Sequence, residues 1–598
     1  MKPRHHSPPT TAATARRQLL PVIACAFLAP VPDFAGAKVP AASTAPETTP
    51  AADLVFTHGA VYTLDAARSW ASTVAVRGGK VVYVGTDEGA SAFIGTATRA
   101  VDLRGRMLVP SFQDSHAHPS QVPNPANQLD LEGLQDREQL FARIRAFAAA
   151  HPGNGWIVGG GWDEAAFLPS GRPTRQMLDA IVSNRPVFLI NNSRHQAWVN
   201  TAALKAAGVT RETPNPPNGE VVREANGEPS GNLQETAMFL VRNVVPHPTL
   251  EERATDLAAA LQQMNAVGIT SVVEAAADPA TVETYAELER TGRLTTRARV
   301  CQRFDQNNLD DEAQIARFVA VRAKVHGPNL DTNCVKVLLD GGYGSKSVAL
   351  LKPYDIPGLG SGKLFVEPER MKALLVRLDA LGFQVHVHAI GDRSVRTGLD
   401  AVEAARKANP KHGQPHTLAH LSLVDMADAP RFRQLDVMPN MTPLWSRPDP
   451  WQTVFAVEMF GAERANTAYR TRSLADDGAV LVWGSDWPVT GMVTMEGLET
   501  AVTHRYPGGR MPDGKVDQPW NPDQRLSLER ALAAYTSASA ALLGESAQRG
   551  SIEVGKDADL VVLGRNLFET PPGEIHNVTV DLTLRQGRVL FEAANARP

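Results

Sequence analysis

The sequence is poor in cysteine, in net charge and in long apolar runs. Three cysteines among 598 residues exclude a small fold held together by a disulfide framework. The formal net charge of -4 lacks the basic excess of nucleic-acid binders, so we expect no nucleic-acid partner. Outside the N-terminal leader, no run approaches the ~20 apolar residues that span a bilayer. The remaining composition, 43% hydrophobic and 21% charged, is that of an ordinary soluble globular protein.

The N-terminus has the pattern of a bacterial export signal. Arg16 and Arg17 precede a short apolar run, and Ala35-Gly36-Ala37 fits a small-residue cleavage site. We therefore predict a signal peptide over residues 1–37 and a flexible linker over 38–52. The paired arginines permit the twin-arginine route without deciding between it and the general route. The mature protein is expected to be periplasmic or secreted, with no membrane span.

The two ends of the mature chain share a β-like texture. Short apolar-alternating runs broken by Gly and Asp occupy residues 53–110 and return in residues 546–598, which predicts one small β-sandwich built from both ends. Between them, residues 111–545 alternate apolar β-branched runs with amphipathic helical segments that end in Gly. About eight such units predict an α/β fold, a distorted TIM-like (β/α)8 barrel. Residues of about 125–235, rich in Pro, Gly and Asn, predict an α/β insertion.

Two cysteines fall in the predicted barrel. Cys301 and Cys334 both lie in apolar, strand-like runs, RARVCQRF and TNCVKVLL. We interpret them as buried thiols and regard a bond between them as the less favoured alternative.

Histidines and an aspartate cluster at the predicted strand ends. His116 and His118 follow the strand MLVPSF, and alternation along a strand directs both to one face. His388 and His420 end the runs FQVHVHA and HTLAH, and Asp486 closes VLVWGSD. Catalytic groups of barrels come from these carboxyl ends, and imidazole with carboxylate is a typical donor set for zinc. The alternative is that these are hydrogen-bonded structural histidines, which is how we interpret His416, while His386 could support His388.

Lys336 stands in an apolar run, NCVKVLLDGG. A buried ammonium group is unfavourable unless it is paired or neutralised. One interpretation is an ion pair with Asp340 or another acid. The other is carboxylation by CO2, which would give an anionic carbamate whose two oxygens can bridge two metals.

Taken together, these motifs resemble the amidohydrolase superfamily, and within it the amidohydrolase-3 branch, which includes N-substituted formamide deformylase-like proteins. The resemblance rests on HAH, the strand-borne lysine, the two later histidines and GSD, together with GGGWDEAAF, PVFLINNSRHQAWVNTAAL, GNLQETA, VKVLLDGGYGSKSVALLKPY, VHAIGD, GSDWPV and GSIEVGKDADLVVL. It runs from about residue 54 to residue 595, nearly all of the mature chain.

The resemblance implies a centre with one or two divalent metals, expected to be Zn2+. His116, His118 and Asp486 would bind one metal, His388 and His420 the other, and a carboxylated Lys336 would bridge them. This chain departs from the family pattern at Ser111 and Gln113 before the HAH motif and at Gly342 in the loop that carries Ser345. These departures bear on substrate preference more than on metal binding.

The implied reaction is hydrolysis of a carbon–nitrogen bond in a small, non-peptide amide by a metal-activated hydroxide, with Asp486 as the catalytic proton shuttle. Trp162, His195 and Ser345 resemble positions that could contact the substrate. The alternatives are a deaminase or esterase on the same scaffold, or an exported binding or regulatory protein without activity. The sequence is compatible with a homodimer.

Overall fold

The computed structural model describes residues 50–122, 128–246, 248–411, 414–512 and 514–594. The predicted signal peptide, residues 1–37, and the linker up to residue 49 therefore lie outside the described residues. In the described part of the chain, no helix is both long and apolar enough to cross a membrane.

Eight parallel strands form a nearly closed barrel. In chain order, which is also their order around the barrel, they are Phe112–Ala117, Ile269–Ala277, Arg297–Arg303, Leu330–Leu338, Gln384–Ala389, His416–His420, Val437–Met441 and Val482–Trp483. The first strand meets the segment that follows the last strand, where Asp486 N donates to His116 O at 2.7 Å and His118 N donates to Trp487 O at 2.7 Å. All strand carboxyl ends therefore open onto one mouth.

Helices connect these strands and cover the barrel. Glycines in the left-handed region follow two of them, Gly268 at φ 86° and Gly382 at φ 77°, as the pattern predicted. Thr249 and Glu252 form a capping box that starts another. The helices of ten or more residues are Arg137–Ala150, Leu250–Ala266, Pro279–Arg290, Asp311–Lys324, Pro368–Ala380, Asp392–Ala408, Ala456–Ala465 and Thr494–Thr503; shorter helices include Ala429–Gln434, Thr471–Asp476, Leu528–Tyr535 and Ser537–Leu542.

Strands from both ends of the described chain share one β-domain. Met107–Pro110 pairs antiparallel with Leu560–Leu563, although more than 400 residues separate the two strands. The larger sheet also contains Arg588–Glu592, Val580–Arg585, Ala60–Tyr62 and Trp70–Ala71, and a second sheet contains Lys80–Gly85, Thr73–Arg77, Leu54–Thr57 and Arg99–Asp102. Side chains from both sheets, among them Phe56, Val76 and Leu584, form one buried core.

The insertion follows the first barrel strand and folds as its own six-stranded sheet. Its strands, in spatial order, are Gly219–Arg223, Pro229–Glu235, Gln196–Val199, Val187–Asn191, Ile157–Trp162 and Leu129–Asp130. The sheet is backed by a core that includes Trp162 and Trp198. Barrel, terminal β-sandwich and insertion together confirm the predicted fold class.

The expectation of free thiols in the barrel was wrong. Cys301 and Cys334 are fully buried, as expected, but they form a disulfide. They lie directly opposite each other on the third and fourth strands, with Cα atoms 4.3 Å apart. The sequence showed that each cysteine lies in a buried strand, whereas the register between the strands determines that the two meet.

Candidate active site

The six predicted ligand-type residues meet at the barrel mouth. Each lies at or just past the carboxyl end of a strand, and all line one cavity of about 310 Å³. They are His116, His118, Lys336, His388, His420 and Asp486. Residues that are 370 positions apart in the chain are thus brought within a few ångströms, because parallel strands present their ends together.

Asp486 lies at the centre of the group. Its Oδ1 is 3.4 Å from His116 Nε2 and 3.2 Å from His118 Nε2, and ligand atoms of these three residues all lie within 4.8 Å of one another. Its Oδ2 is 3.8 Å from His420 Nδ1. The ring of His420 is in turn 4.4 Å from that of His388, centroid to centroid. The site therefore has a compact half around Asp486 and a second half at the paired histidines.

The donor set fits a divalent cation. His118 Nδ1, His388 Nε2 and Asp486 Oδ1 are buried without a hydrogen-bond partner, which is unfavourable for polar atoms unless something else satisfies them. Burial is the main cause that lowers the pKa of His388 and His420 well below the usual value. These histidines are therefore neutral, and neutral imidazole is the form that binds metal.

Lys336 is buried against histidines rather than against an acid. Its Nζ lies 3.4 Å from His116 Nε2, and burial lowers the pKa of Lys336 to about 7, an effect that Asp486 opposes. Asp340 does not pair with it. The Asp340 carboxylate accepts backbone N–H groups of Ile390 and Gly391 at 3.0 and 2.9 Å and the Ser394 hydroxyl, so it braces the loop after the fifth barrel strand.

His386 supports His116, not His388 as we first considered. Its Nε2 lies 2.9 Å from His116 Nδ1, so the hydrogen bond orients the His116 ring and directs Nε2 toward Asp486. His416 is buried away from the cavity, with Nε2 3.0 Å from Asp379 Oδ1. This placement agrees with its interpretation as a structural residue.

Glu274 is the residue that the sequence analysis missed. It lies in the second barrel strand, is fully buried, and places Oε1 3.6 Å from His118 Nδ1. The Tyr285 hydroxyl and the Ser120 N–H both donate to its Oε2, at 3.1 Å. The available signal was a carboxylate inside the apolar run GITSVVEAA. Burial lowers the pKa of His118, but Asp486 and Glu274 outweigh this effect and raise it overall.

The three predicted substrate-contacting residues have different surroundings. His195 lines the cavity, with its ring centroid 5.5 Å from that of His388 and its Nδ1 2.9 Å from Glu235 Oε2. Ser345 is not among the residues that line the cavity, and its hydroxyl donates to Glu235 at 2.5 Å.

Trp162 does not reach the cavity either. Its side chain is fully buried in the insertion, where the indole N–H donates to Leu189 O at 2.9 Å. The next residue, Asp163, lines the cavity instead. Asp163 directly follows the strand Ile157–Trp162 and keeps an extended backbone. Successive side chains of extended backbone point in opposite directions, which explains the difference. The expectation that Trp162 contacts substrate is therefore replaced by a structural role.

Comparison with known proteins places this arrangement in a family. The model of the amidohydrolase family matches residues 99–591. "Protein LONG AFTER FAR-RED 3" of Arabidopsis thaliana is 30% identical over 87% of this chain and 88% of its own length. "N-substituted formamide deformylase" of Arthrobacter pascens is 26% identical over 90% of this chain and 98% of its own length.

A solved structure shows the same architecture. It is an uncharacterized metal-dependent hydrolase from Pyrococcus horikoshii, with a TM-score of 0.68 and 26% identity over 87% of this chain and 99% of that one. The resemblance inferred from the motifs is thereby confirmed. This chain belongs to the amidohydrolase family and has the fold of a metal-dependent hydrolase, with a histidine–aspartate cluster that could hold a divalent metal.

Proposed function

We propose that this protein hydrolyses the carbon–nitrogen bond of a small, non-peptide amide at a zinc-type centre. The observation that carries the proposal is the cluster of His116, His118 and Asp486, whose ligand atoms lie within 4.8 Å of one another in the cavity and in which Asp486 Oδ1 is buried without a hydrogen-bond partner. The name of the Arthrobacter pascens relative, a formamide deformylase, supports an amide rather than another carbonyl compound.

In this proposal His116, His118 and Asp486 hold one cation, and His388 and His420 hold a second. A bound cation supplies Lewis acidity, which polarises the substrate carbonyl and makes a water molecule more acidic. Lys336 joins both halves after carboxylation. Its Nζ forms a bond to the carbon of CO2 and loses a proton, which leaves an anionic carbamate. The lowered pKa of Lys336 supports this step because a neutral amine is the reactive form.

In this proposal Asp486 transfers a proton and His195 donates a hydrogen bond to the substrate. The Asp486 carboxylate faces both histidine pairs and can accept a proton from the attacking water and pass it to the leaving nitrogen. Burial lowers the pKa of His195, but the charge and hydrogen bond of Glu235 raise it overall. His195 is therefore suited to donate a hydrogen bond to the carbonyl oxygen of a substrate bound beside His388.

Metal content and turnover test the proposal together. Elemental analysis of the purified protein is expected to find one or two divalent ions per chain, and a panel of N-acyl amines, lactams, esters and aminopurines is expected to show turnover of amides. Chelation should abolish turnover, and Zn2+ should restore it. Turnover restricted to esters or to aminopurines would favour an esterase or a deaminase, respectively. If the protein bound no metal and turned over no substrate, it would be a non-catalytic exported protein.

Lys336→Ala tests the bridging ligand. We expect loss of most bound metal and of activity, with partial recovery when a short carboxylic acid such as acetate or propionate supplies the missing oxygens. Lys372→Ala is the matched control, since Lys372 pairs with Glu369 on the surface and should behave like the wild type. Full activity and full metal content in Lys336→Ala would show that Lys336 is a structural residue.

We also propose that the protein acts outside the cytoplasm. The predicted signal peptide lies outside the described residues, but the Cys301–Cys334 disulfide is independent support, because disulfides persist in oxidising compartments. Cell fractionation is expected to recover the protein in the periplasm or medium. Recovery in the cytoplasm with two reduced barrel cysteines would contradict this proposal.

A further inference from the structure

Three arginines share the cavity wall with the candidate metal ligands. They are Arg194, Arg242 and Arg303, and they come from separate elements. Arg194 lies in the loop between two strands of the insertion, Arg242 ends the short helix Phe239–Arg242, and Arg303 ends the third barrel strand. The three arginines are far apart in the sequence, so only the tertiary structure brings them together.

None of the three is neutralised by the protein. Within the described chain, no carboxylate oxygen lies within 4.0 Å of these guanidinium groups, whereas Arg447 on the same wall lies 3.5 Å from Asp449. Arg194 donates to Gln121 O at 2.8 Å, but its Nε is buried without a partner. Arg242 and Arg303 both lie against the Phe239 ring, 6.0 and 5.2 Å from its centroid.

The positive charges of the three guanidinium groups are therefore concentrated in a partly buried part of the cavity wall. Burial and the neighbouring Arg242 lower the pKa of Arg194 to about 10, and the same two causes lower the pKa of Arg303. With its pKa at about 10, Arg194 still carries its charge at neutral pH. Such a cluster is unfavourable without a counter-charge, so the part of the cavity that these arginines line favours an anion.

The acids near the cluster offset this charge only in part. Glu132, Asp486 and Glu274 raise the pKa of Arg194, and Asp305, Asp278 and Glu235 raise that of Arg303, but burial and Arg242 outweigh both effects. Glu235 is engaged by His195 at 2.9 Å. Glu132, on the cavity wall near Arg194, has its pKa raised to about 7 by burial and by Asp130. A half-protonated acid offsets at most part of one guanidinium charge.

The cluster lies beside the reaction centre. Arg303 is the register partner of Lys336 on the adjacent parallel strand, and paired residues of parallel strands face the same side. Arg194 precedes His195 and holds Gln121, three residues after His118. Its φ of 64° is an unusual backbone angle for a side-chain-bearing residue, one that clusters at functional sites.

We propose that Arg194, Arg242 and Arg303 bind a carboxylate carried by the substrate, so that this enzyme prefers amides of acid-bearing compounds, such as N-acylated amino acids. The inference rests on the proposed amide hydrolysis. A guanidinium group matches a carboxylate with two parallel hydrogen bonds. Phe239, which lines the cavity and is contacted by Arg242 and Arg303, offers an apolar surface for the carbon skeleton.

Matched substrates test the inference without any mutation. An N-acyl amino acid and its primary amide have the same scissile bond and nearly the same shape but differ in charge. We expect the wild type to show a kcat/KM at least about tenfold higher for the acid, because hydrogen bonds to charged groups are the stronger ones. Equal or higher kcat/KM for the neutral compound would overturn the inference.

Substitution then assigns the preference to residues. Arg194→Gln, Arg242→Gln and Arg303→Gln are each expected to lower kcat/KM for the acid about 10- to 100-fold and to change it little for the primary amide. Lysine at the same positions keeps the charge but cannot form two parallel hydrogen bonds, so kcat/KM for the acid should lie between the values of the wild type and the glutamine variant. The lysine variant also replaces any glutamine variant that does not fold. Arg290→Gln is the control, since Arg290 is exposed and pairs with Glu287.

Binding separates this inference from the proposed function. Calorimetry on the metal-loaded protein would compare benzoate with benzamide. Tighter binding of benzoate that Arg194→Gln weakens, without turnover of any amide, would support the arginine site and refute amide hydrolysis. Amide turnover with benzoate binding unchanged in all three glutamine variants would support hydrolysis and refute the arginine site, since the carboxylate would then be bound by the metal alone.

Discussion

At the residue scale, two buried histidines on neighbouring barrel strands show how similar local sequences acquire different roles. His386 contacts His116 at 2.9 Å, on the side of the ring facing away from Asp486. His416 contacts Asp379 at 3.0 Å, at the other end of its strand from His420. Both lie on apolar strands. Depth along the strand decides which one reaches the metal ligands.

His386→Gln is expected to lower metal affinity about 10- to 100-fold, because partners that orient a ligand have effects of this size. His416→Gln should leave metal affinity unchanged and lower the free energy of unfolding by roughly 1–3 kcal/mol, as expected for a lost buried hydrogen bond. Competition with a chromophoric chelator, alongside urea denaturation, measures both. Equal metal affinity in the two variants would contradict the orienting role.

Glu164, at the edge of the insertion core, predicts a pH-dependent stability. It is fully buried, accepts hydrogen bonds from Asn191 and Gln196 at 2.6 Å each, and has its pKa raised to about 8, by burial first and then by Asp163. The folded state thus holds this proton more tightly than the unfolded state, in which the pKa is about 4.3. The stabilisation is complete below that value and is lost as pH rises through about 8.

Glu164→Gln is therefore expected to flatten the stability profile between pH 5 and pH 8.5. The variant keeps the hydrogen-bonding shape without a charge to desolvate, so its advantage should grow with pH to on the order of 3–5 kcal/mol. Denaturant unfolding at several pH values measures the difference. Parallel curves for wild type and variant would show that Glu164 is ionised in the folded protein.

At the element scale, the barrel strands do two things at once. Their apolar β-branched residues pack against the surrounding helices, and their carboxyl ends carry the polar residues. Cys301 and Cys334 add a covalent link between the third and fourth strands. Lys336 follows Cys334 by two residues on the same strand. The link therefore holds together the two strands that carry Arg303 and Lys336.

Replacing both cysteines by alanine is expected to lower the free energy of unfolding by about 2–4 kcal/mol, since the disulfide closes a loop across 33 residues of sequence separation. Reductant should destabilise the wild type by a similar amount and leave the double variant unaffected. Metal content should stay the same, because neither sulfur is a proposed ligand. Thermal unfolding with and without dithiothreitol measures this, and identical melting in both conditions would contradict a formed disulfide.

At the scale of the whole molecule, a buried ion-pair network ties the terminal β-sandwich to the barrel. Arg297, at the start of the third barrel strand, bonds to Asp559, and its Nη2 also lies 3.2 Å from Asp557. Arg549 reaches Asp557 as well, at 3.1 Å. The network lies at the opposite end of the strand from Arg303, so it supports assembly rather than chemistry.

Arg297→Gln should lower the free energy of unfolding by about 3–5 kcal/mol, because it leaves two buried carboxylates with a missing partner. Arg530→Gln provides the contrast, since Arg530 pairs with Asp476 at 2.6 Å on the surface, where pairs contribute little. Both variants should retain full metal content. Chemical denaturation and elemental analysis test this, and equal stability of the two variants would contradict an anchoring role.

Much of the architecture could be predicted from local patterns. Apolar β-branched runs alternating with amphipathic segments identified the barrel strands, and Gly268 and Gly382 marked helix ends. The four candidate histidines and Asp486 followed from their position at the ends of apolar strands, whereas the ligand role of Lys336, inside a strand, followed from the family resemblance. The positions of Trp162 and Ser345 relative to the cavity could not be predicted. They depend on how the insertion packs on the barrel and on the path of the loop after the fourth barrel strand, which local patterns do not specify.

What the sequence by itself determined is therefore which residue types stand at the ends of buried strands, because the alternation of apolar and polar residues is encoded locally. Only the tertiary structure decided the partners: Cys301 with Cys334, His386 with His116, Glu274 beside His118, and three arginines in one cavity wall. These contacts join segments that are distant in sequence. They depend on strand register and on the docking of the insertion, neither of which local periodicity specifies.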